Sequence, residues 1–403
     1  MNSLVIAVRT ANRPEILSRC VGAAVEGCDV AQAARWLVLD DSIPSAQAAT
    51  QQVARSWQAS GLRLSYIDRA VGAKIADSLV NDNVRRAFWC LTARNPACPT
   101  EAGRNLALIA ALSLDSDVIV FLDDDMVHRH GETCFFHWCA SANAPGPSLA
   151  APRKRGIRDM AYLNRLAAVL DREDFACFIG EASLTAEERL WYSPANPLWK
   201  AESSSESKPA GRLQVLSGQF VALFSSREDW LPFYDSDLDW TFLQSSLCET
   251  RLQKVSGIDV QHLPPSIGHL NAAAVVAELQ ATAITRALRQ LSIRYGQSLS
   301  ELAEPLAEVL SSDLRRELFS FLALRHMVTE RAQATSDLNA RAALSKIDHT
   351  LAEAVVSMKH LEAGQAASAW ASEMASRREM LTKLRADRSA QDGIRRIAMG
   401  AIP

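Results

Sequence analysis

The sequence predicts an α/β protein, a mostly parallel sheet with flanking helices, followed by an all-helical C-terminal domain. Three observations carry this. Short apolar runs alternate with amphipathic stretches through the first half, the pattern of a parallel sheet covered by helices. The segment Asp117-Val-Ile-Val-Phe-Leu122 is an almost unbroken apolar run, as a central strand buried on both faces requires. From Asn271 to about Arg396 alanine, leucine, arginine and glutamate recur at helical spacing, with almost no strand signals. A chain of 403 residues suits two units. The division is expected near Pro264 to Asn271, giving domains 1–270 and 271–403.

Each element follows in order. Leu4 to Val8 reads as a buried first strand, and Pro14 sits where a helix begins. That helix runs from Pro14 to Val25. Trp36 to Leu39 is a second strand ending in Asp40-Asp41-Ser42, Ala46 to Ala59 a second helix, and Leu62 to Ile67 a third strand. An inserted helix is expected around Ile75 to Leu91, then a loop, then a clear helix from Glu101 to Ser113. Beyond residue 145 the pattern loosens. Ala144-Pro-Gly-Pro147 is a turn, and Ala201 to Gly211 has the small, polar composition of a mobile linker. Gln214 to Phe224 reads as strand, broken at Ser217-Gly218.

Composition narrows the class. Hydrophobic residues are 48% and charged residues 22%, which is ordinary globular material. A formal net charge of −3 gives no global field toward nucleic acid or an anionic membrane. The eight cysteines are irregularly spaced without a C-x-x-C pair, as suits a reducing compartment. The apolar run Leu4 to Val8 ends at Arg9, too short for a signal-peptide core or a membrane span. A cytoplasmic protein is expected. The tail from Arg377 to Arg396 is basic and amphipathic; peripheral membrane contact is one reading, a solvated helix face the favoured one.

Chemistry is expected beyond the carboxyl ends of the strands, where open parallel sheets bind ligands. Those ends read Arg9-Thr10, Asp40-Asp41, Asp68-Arg69 and Asp123-Asp124-Asp125. Any one of these acids could simply cap a following helix. Three aspartates in a row are more than one cap needs, and clustered carboxylates repel unless something positive binds. Hard oxygen donors suit Mg²⁺ or Mn²⁺, which keep positions open for substrate phosphates. In an extended segment Asp123 and Asp125 would share a face, with Asp124 on the other. Cys134-Phe-Phe-His-Trp-Cys139 lacks a fourth ligand for zinc and reads as a buried amphipathic helix.

Over residues 3–270 these segments come in the order found in GT-A fold glycosyltransferases of the family 2 type, which the chain resembles. Val8-Arg-Thr-Ala-Asn-Arg-Pro14 is similar to the family's opening strand-loop, with Arg9 in place of Pro and Ala11 in place of an aromatic. Val38-Leu-Asp-Asp-Ser42 resembles the nucleotide-binding turn without its glycine, Ala102-Gly-Arg-Asn-Leu-Ala107 the helix beside the donor, and Phe121-Leu-Asp-Asp-Asp125 the DXD motif. The resemblance implies that Thr10, Arg13, Asp40, Asp41, Asp68, Arg104, Asn105, Asp124 and Gly218 contact the nucleotide sugar. It implies that Asp123 and Asp125 bind the metal, joined by His262 in Val260-Gln-His-Leu-Pro-Pro265; a lone histidine is otherwise structural. Pro232 to Phe242 stands where the family has its acidic base motif. Asp239, which precedes Trp240, is the first choice of base and Asp237 the second; both also fit as caps of a helix near Trp240.

The implied function is metal-dependent transfer of a sugar from a UDP- or GDP-linked donor to a hydroxyl-bearing acceptor, with inversion. A nucleotidyltransferase is the rival enzyme, although no glycine-rich basic loop follows the first strand. An inactive scaffold whose helices bind a partner is the non-enzymatic alternative. The helical domain carries no strand-end acids. Its stripe of Leu299, Leu302, Leu306 and Leu310 must bury against something, so acceptor access or homodimerisation is its expected duty.

Overall fold

The computed structural model describes residues 2–77, 100–128, 134–143, 147–155, 220–224, 230–233, 250–262, 290–334 and 338–400, with short pieces at 240, 243–244, 246–248, 276, 280, 283–284, 287–288 and 336. The described strands form a mixed sheet. β1 (Leu4–Thr10), β2 (Arg35–Asp40), β3 (Arg63–Ile67) and β4 (Val118–Asp123) pair in parallel in the order β3-β2-β1-β4. β7 (Phe220–Phe224) adds antiparallel to β4, followed by β6 (Ser148–Arg155), β8 (Arg251–His262) and the short β5 (Met126–His128).

Helices cover both faces, and the period-two alternation of the strands sorts their side chains between two cores. Leu4, Ile6 and Val8 of β1, with Trp36 and Val38 of β2 and Val118, Val120 and Leu122 of β4, face one core. It is closed by α1 (Pro14–Val25), α2 (Asp29–Ala33), α3 (Pro44–Ala59) and α6 (Phe135–Ser141). Proline opens both α1 and α3, where its fixed φ and missing N–H cost nothing. Val5, Ala7, Leu37, Leu39, Ile119 and Phe121 face the other core. There the sheet meets α4 (Arg69–Asp77), α5 (Thr100–Ser113) and the C-terminal helices α7 (Ala303–Ala334), α9 (Ala363–Ala386) and α10 (Arg388–Met399). α8 (Leu338–Met358) packs on α7.

The leucine stripe is thereby assigned. Leu299, Leu302, Leu306 and Leu310 are buried in the same core as the sheet, so that stripe is not a dimer interface. α7, α9 and α10 share the core of the sheet. Arg395 Nε of α10 donates to the Ser113 carbonyl at the end of α5 (2.8 Å). Trp370, Met374, Leu381 and Ile394 join the cluster that holds Val5 and Phe121.

The strands and long helices of the first 123 residues lie within a residue or two of their expected bounds. α4 begins at Arg69, and the rest of the expected insertion, 78–99, lies outside the described residues, as do most of 144–147 and all of 201–211. Elements without a sequence expectation are α2, β5, β6 and β8. β8 carries Gln, Lys, Ser, Gly and Asp among its twelve residues, so it has no apolar run to announce it. No described helix is long and apolar enough to cross a membrane.

Candidate functional site

The site forms where β1, β2 and β4 end. Parallel register sets Arg9 directly opposite Asp123 and Thr10 opposite Asp40. Arg9 continues the Val5/Ala7 face of β1 toward α5, and Thr10 continues the Ile6/Val8 face toward α1. Each then meets a different aspartate. Arg9 Nη2 lies 3.6 Å from Asp123 Oδ1, and Arg104 Nη2 of α5 lies 3.2 Å from Asp123 Oδ2. On the opposite face Thr10 Oγ1 donates to Asp124 Oδ2 (2.7 Å), whose Oδ1 pairs with Arg13 (2.8 Å). Arg13 Nη1 is also 3.8 Å from Asp125 Oδ2.

The three aspartates do not alternate as an extended strand would. β4 stops at Asp123 and residues 124–125 turn into β5. The turn brings Asp124 and Asp125 to one guanidinium and leaves Asp123 to Arg9 and Arg104. The Asp124 side chain is wholly buried, and burial pushes its carboxyl up to about 7, with Asp125 and Asp123 adding to the shift against the pull of Arg13 and Thr10. The structure therefore gives Thr10 and Asp124 an internal task, locking the β1–α1 loop to the β4 turn. Both side chains are buried.

The second pair of acids divides in the same way. Asp40 has a donor on each oxygen: Oδ1 accepts from the Ser42 amide (2.9 Å) and Oδ2 from the Tyr66 hydroxyl. Asp41 Oδ1 accepts from Arg69 Nε (2.5 Å), while its Oδ2 is buried with no hydrogen-bond partner. Burial raises the carboxyl pKa of both, against the hydrogen bonds of Ser42 and Tyr66 on Asp40 and of Arg69 on Asp41. Asp68 follows the capping alternative, because Oδ1 accepts from the Val71 amide at the start of α4 and Oδ2 from Gln47 (both 2.8 Å). Asn12 links the loops after β1 and β2. Its amide donates to Ser42 Oγ (2.7 Å) and its side chain accepts from the Ile43 amide (2.8 Å), at a φ of 58° that asparagine tolerates better than most residues.

The Arg104-Asn105 pair of α5 bridges two parts of the chain. Arg104 lies 5.6 Å from the centre of the Phe233 ring, while Asn105 is buried against the Phe233 backbone. Arg377 of α9, ion-paired with Glu373, donates to the same Phe233 carbonyl (2.5 Å). The Phe233 ring stacks on Trp240 at 4.2 Å. The Asn105 side chain is thus held on the Phe233 backbone through both its oxygen and its nitrogen. Asp237, Asp239 and Gly218 lie outside the described residues. His262 is described through its backbone alone, paired in β8 with Met126, the residue after Asp125.

A divalent cation of the magnesium or manganese kind needs hard oxygens and keeps open positions for phosphate. Asp123 and Asp125 supply carboxylates at the rim of the site, each with 12% of its side-chain surface exposed. Asp41 adds an acceptor oxygen without a donor. Among the described residues no group of three or more His, Cys, Asp or Glu is placed to hold a metal ion. Two rim carboxylates leave most positions of such a cation to other oxygens. Arg9, Tyr66, Arg69 and Arg377 are the contributors that motif reasoning leaves unassigned. For Arg9 the signal was present, since parallel pairing of the first and fourth strands places it beside Asp123.

No protein-family model matches the chain, and no curated protein matches it. Among solved structures, a mannosyltransferase from Pyrobaculum calidifontis in complex with GDP-Man and Mn²⁺ is similar, with a TM-score of 0.42 and 14% identity over 93% of this chain and 86% of that one. A glucosyl-3-phosphoglycerate synthase from Mycobacterium tuberculosis, in complex with Mn²⁺, UDP and glucosyl-3-phosphoglycerate, is similar at a TM-score of 0.36 and 14% identity, over 69% and 78%. The same synthase with Mg²⁺ and UDP gives 0.36 and 13%, over 69% and 77%.

Proposed function

We propose that this chain is a glycosyltransferase of the GT-A kind, moving a sugar from a UDP- or GDP-linked donor to a hydroxyl-bearing acceptor. One observation carries the reading: the ends of β1, β2 and β4 gather Asp41, Asp123 and Asp125 among Arg9, Arg13, Arg69 and Arg104 at the ligand-binding edge of a parallel sheet. Mixed charges of this kind suit a ligand that carries phosphates and brings a cation. Asp123 and Asp125 would hold Mn²⁺ or Mg²⁺, with His262 as a further ligand. When bound, the cation offsets the negative charge that builds on the departing nucleoside diphosphate.

The remaining roles belong to the chain. Asp41, through its unpartnered oxygen, accepts a hydrogen bond from the nucleoside. Tyr66 and Ser42 hold Asp40 behind it. Arg13 and Arg104 fix the carboxylates that face the donor. In transfer with inversion the acceptor oxygen bonds to the anomeric carbon as the bond to the diphosphate oxygen breaks. The acceptor's proton passes to a carboxylate. Asp239 is the base of first choice and Asp237 of second. This is supported by their flanking residues, Phe233 and Trp240, which stack on each other beside the Arg104 that grips Asp123. Incubation with UDP- and GDP-sugars and Mn²⁺, followed by mass spectrometry for released nucleoside diphosphate, tests the reading. Release by the parent and not by Asp123→Ala supports it; no release from any donor, with or without hydroxyl acceptors, counts against it.

A further inference from the structure

Asp123 is held by two arginines, and the two are not equivalent. Arg104 is nearly buried, with 6% of its side chain exposed, and lies 5.6 Å from the centre of the Phe233 ring. Arg9 stands farther off at 3.6 Å and is 19% exposed. Its charge also reaches Asp41, where it offsets part of the rise that burial imposes on that carboxyl. Its placement is built into the fold. The aliphatic stem of Arg9 crosses α5 at Gly103, where an added Cβ would come within 2.9 Å of Arg9 Cδ. Parallel register holds the Arg9 backbone opposite Asp123.

We propose that Arg9 is the internal counter-ion of the strand-end acids and is displaced when a divalent cation binds there, so that Arg9 sets how tightly the site takes metal. The displacement rests on the reading of Asp123 and Asp125 as cation ligands; the counter-ion role does not. A guanidinium and a dication cannot share one carboxylate oxygen without strong repulsion, even at an effective dielectric of about 20. Arg104 is fixed by burial and by the Phe233 ring. Arg9 has solvent beside it and a flexible stem, so Arg9 is the arginine that moves. The acids are then charge-balanced before the ligand arrives, and the cation must outcompete a tethered positive charge.

The test uses the full chain stripped with EDTA. Mn²⁺ alone is titrated by electron paramagnetic resonance, and melting is recorded without metal. Arg9→Met keeps an unbranched stem without the charge and is expected to bind Mn²⁺ about tenfold tighter than the parent, given the charge repulsion removed. Arg9→Lys keeps the charge and is expected to stay near the parent. Gly103→Ala, which alters no charge but crowds the Arg9 stem, is expected to shift affinity in the direction of Arg9→Met. Without metal, Arg9→Met is expected to lower the melting temperature in the parent and not in an Asp123→Asn background. Mn²⁺ binding by the parent that Arg9→Met leaves unchanged or weakens overturns the displacement alone. A parent that binds no Mn²⁺ overturns the cation site and the displacement together. An equal melting loss in both backgrounds overturns the counter-ion role.

Discussion

Asn105 and Phe233 are joined by a reciprocal pair of hydrogen bonds. The Asn105 amide donates to the Phe233 carbonyl and accepts from the Phe233 N–H, both at 2.8 Å. Both residues are buried. The pair ties α5, which carries Arg104 to Asp123, to the segment that leads to Trp240. Asn105→Ala leaves the Phe233 N–H buried without its acceptor, and is expected to lower the free energy of unfolding by about 2–3 kcal/mol in a urea titration. A change below about 0.5 kcal/mol, the level of ordinary surface substitutions, would show that the pair is not structural.

Removing Asp123 tests the metal site and the arginines around it together. Crowded acids alone would gain stability from losing one member. Here Asp123 answers both Arg9 and Arg104, so Asp123→Asn strands the nearly buried Arg104 charge. The variant is expected to be less stable by about 1–3 kcal/mol without ligand and to lose Mn²⁺-dependent nucleotide binding. Differential scanning calorimetry with EDTA checks the first; a gain in stability would show that repulsion among the acids dominates.

Asp124 gives the pH dependence. Burial raises its carboxyl to about 7 in the fold, against about 3.9 in an unfolded chain. A raised folded pKa contributes stability that is complete below about pH 4 and is lost as pH rises through about 7. Metal-free protein is therefore expected to lose stability between pH 4 and 8 relative to Asp124→Asn, which cannot ionise. Chemical unfolding of both across that range measures the slope. A difference independent of pH would mean that Arg13 keeps Asp124 ionised throughout.

The first 123 residues were the legible part of the chain. Leu4 to Val8 and Val118 to Leu122 are apolar because both faces of those strands are covered, and the acids at their ends mark where the cover stops. Which acids face a ligand was not legible. Asp40, Asp41 and Asp68 look alike in sequence. The Tyr66 hydroxyl, the Arg69 guanidinium and the Val71 amide tell them apart, and those arise from the packing of β3 and α4. The turn at Asp124-Asp125 also escaped, since Asp-Asp-Asp is compatible with extension or turning. β8 escaped because its partners in the sheet, not its own apolar content, make it a strand.

The sequence presents the C-terminal helices as a domain of their own, and the core that α7, α9 and α10 share with the sheet changes what their removal should do. A chain ending at 270 would uncover the face of α5 and the sheet that Leu306, Leu310, Trp370 and Ile394 bury. It is expected to be insoluble or loosely packed, since an exposed apolar patch of this kind drives aggregation. Circular dichroism and sedimentation of the truncated chain check this. A cooperatively melting monomer that still binds nucleotide would show that the sheet folds without these helices.

The base is tested by paired substitutions. Asp239→Asn keeps shape but cannot take a proton, and is expected to reduce transfer by about 10²-fold or more while donor binding survives. If Asp237→Asn is the inactive variant instead, the order of the two is reversed; if neither is, the base lies outside this segment.

The most direct measurement is calorimetric titration of the full chain with UDP, GDP and their sugar conjugates, each with Mn²⁺ and with EDTA. At least one nucleoside diphosphate is expected to bind with Mn²⁺ and to lose that binding with EDTA, with Asp123→Ala and with Asp125→Ala. Binding that ignores both the metal and these two residues, or no binding by any nucleotide, would contradict a metal-dependent sugar-transfer site at the ends of these strands.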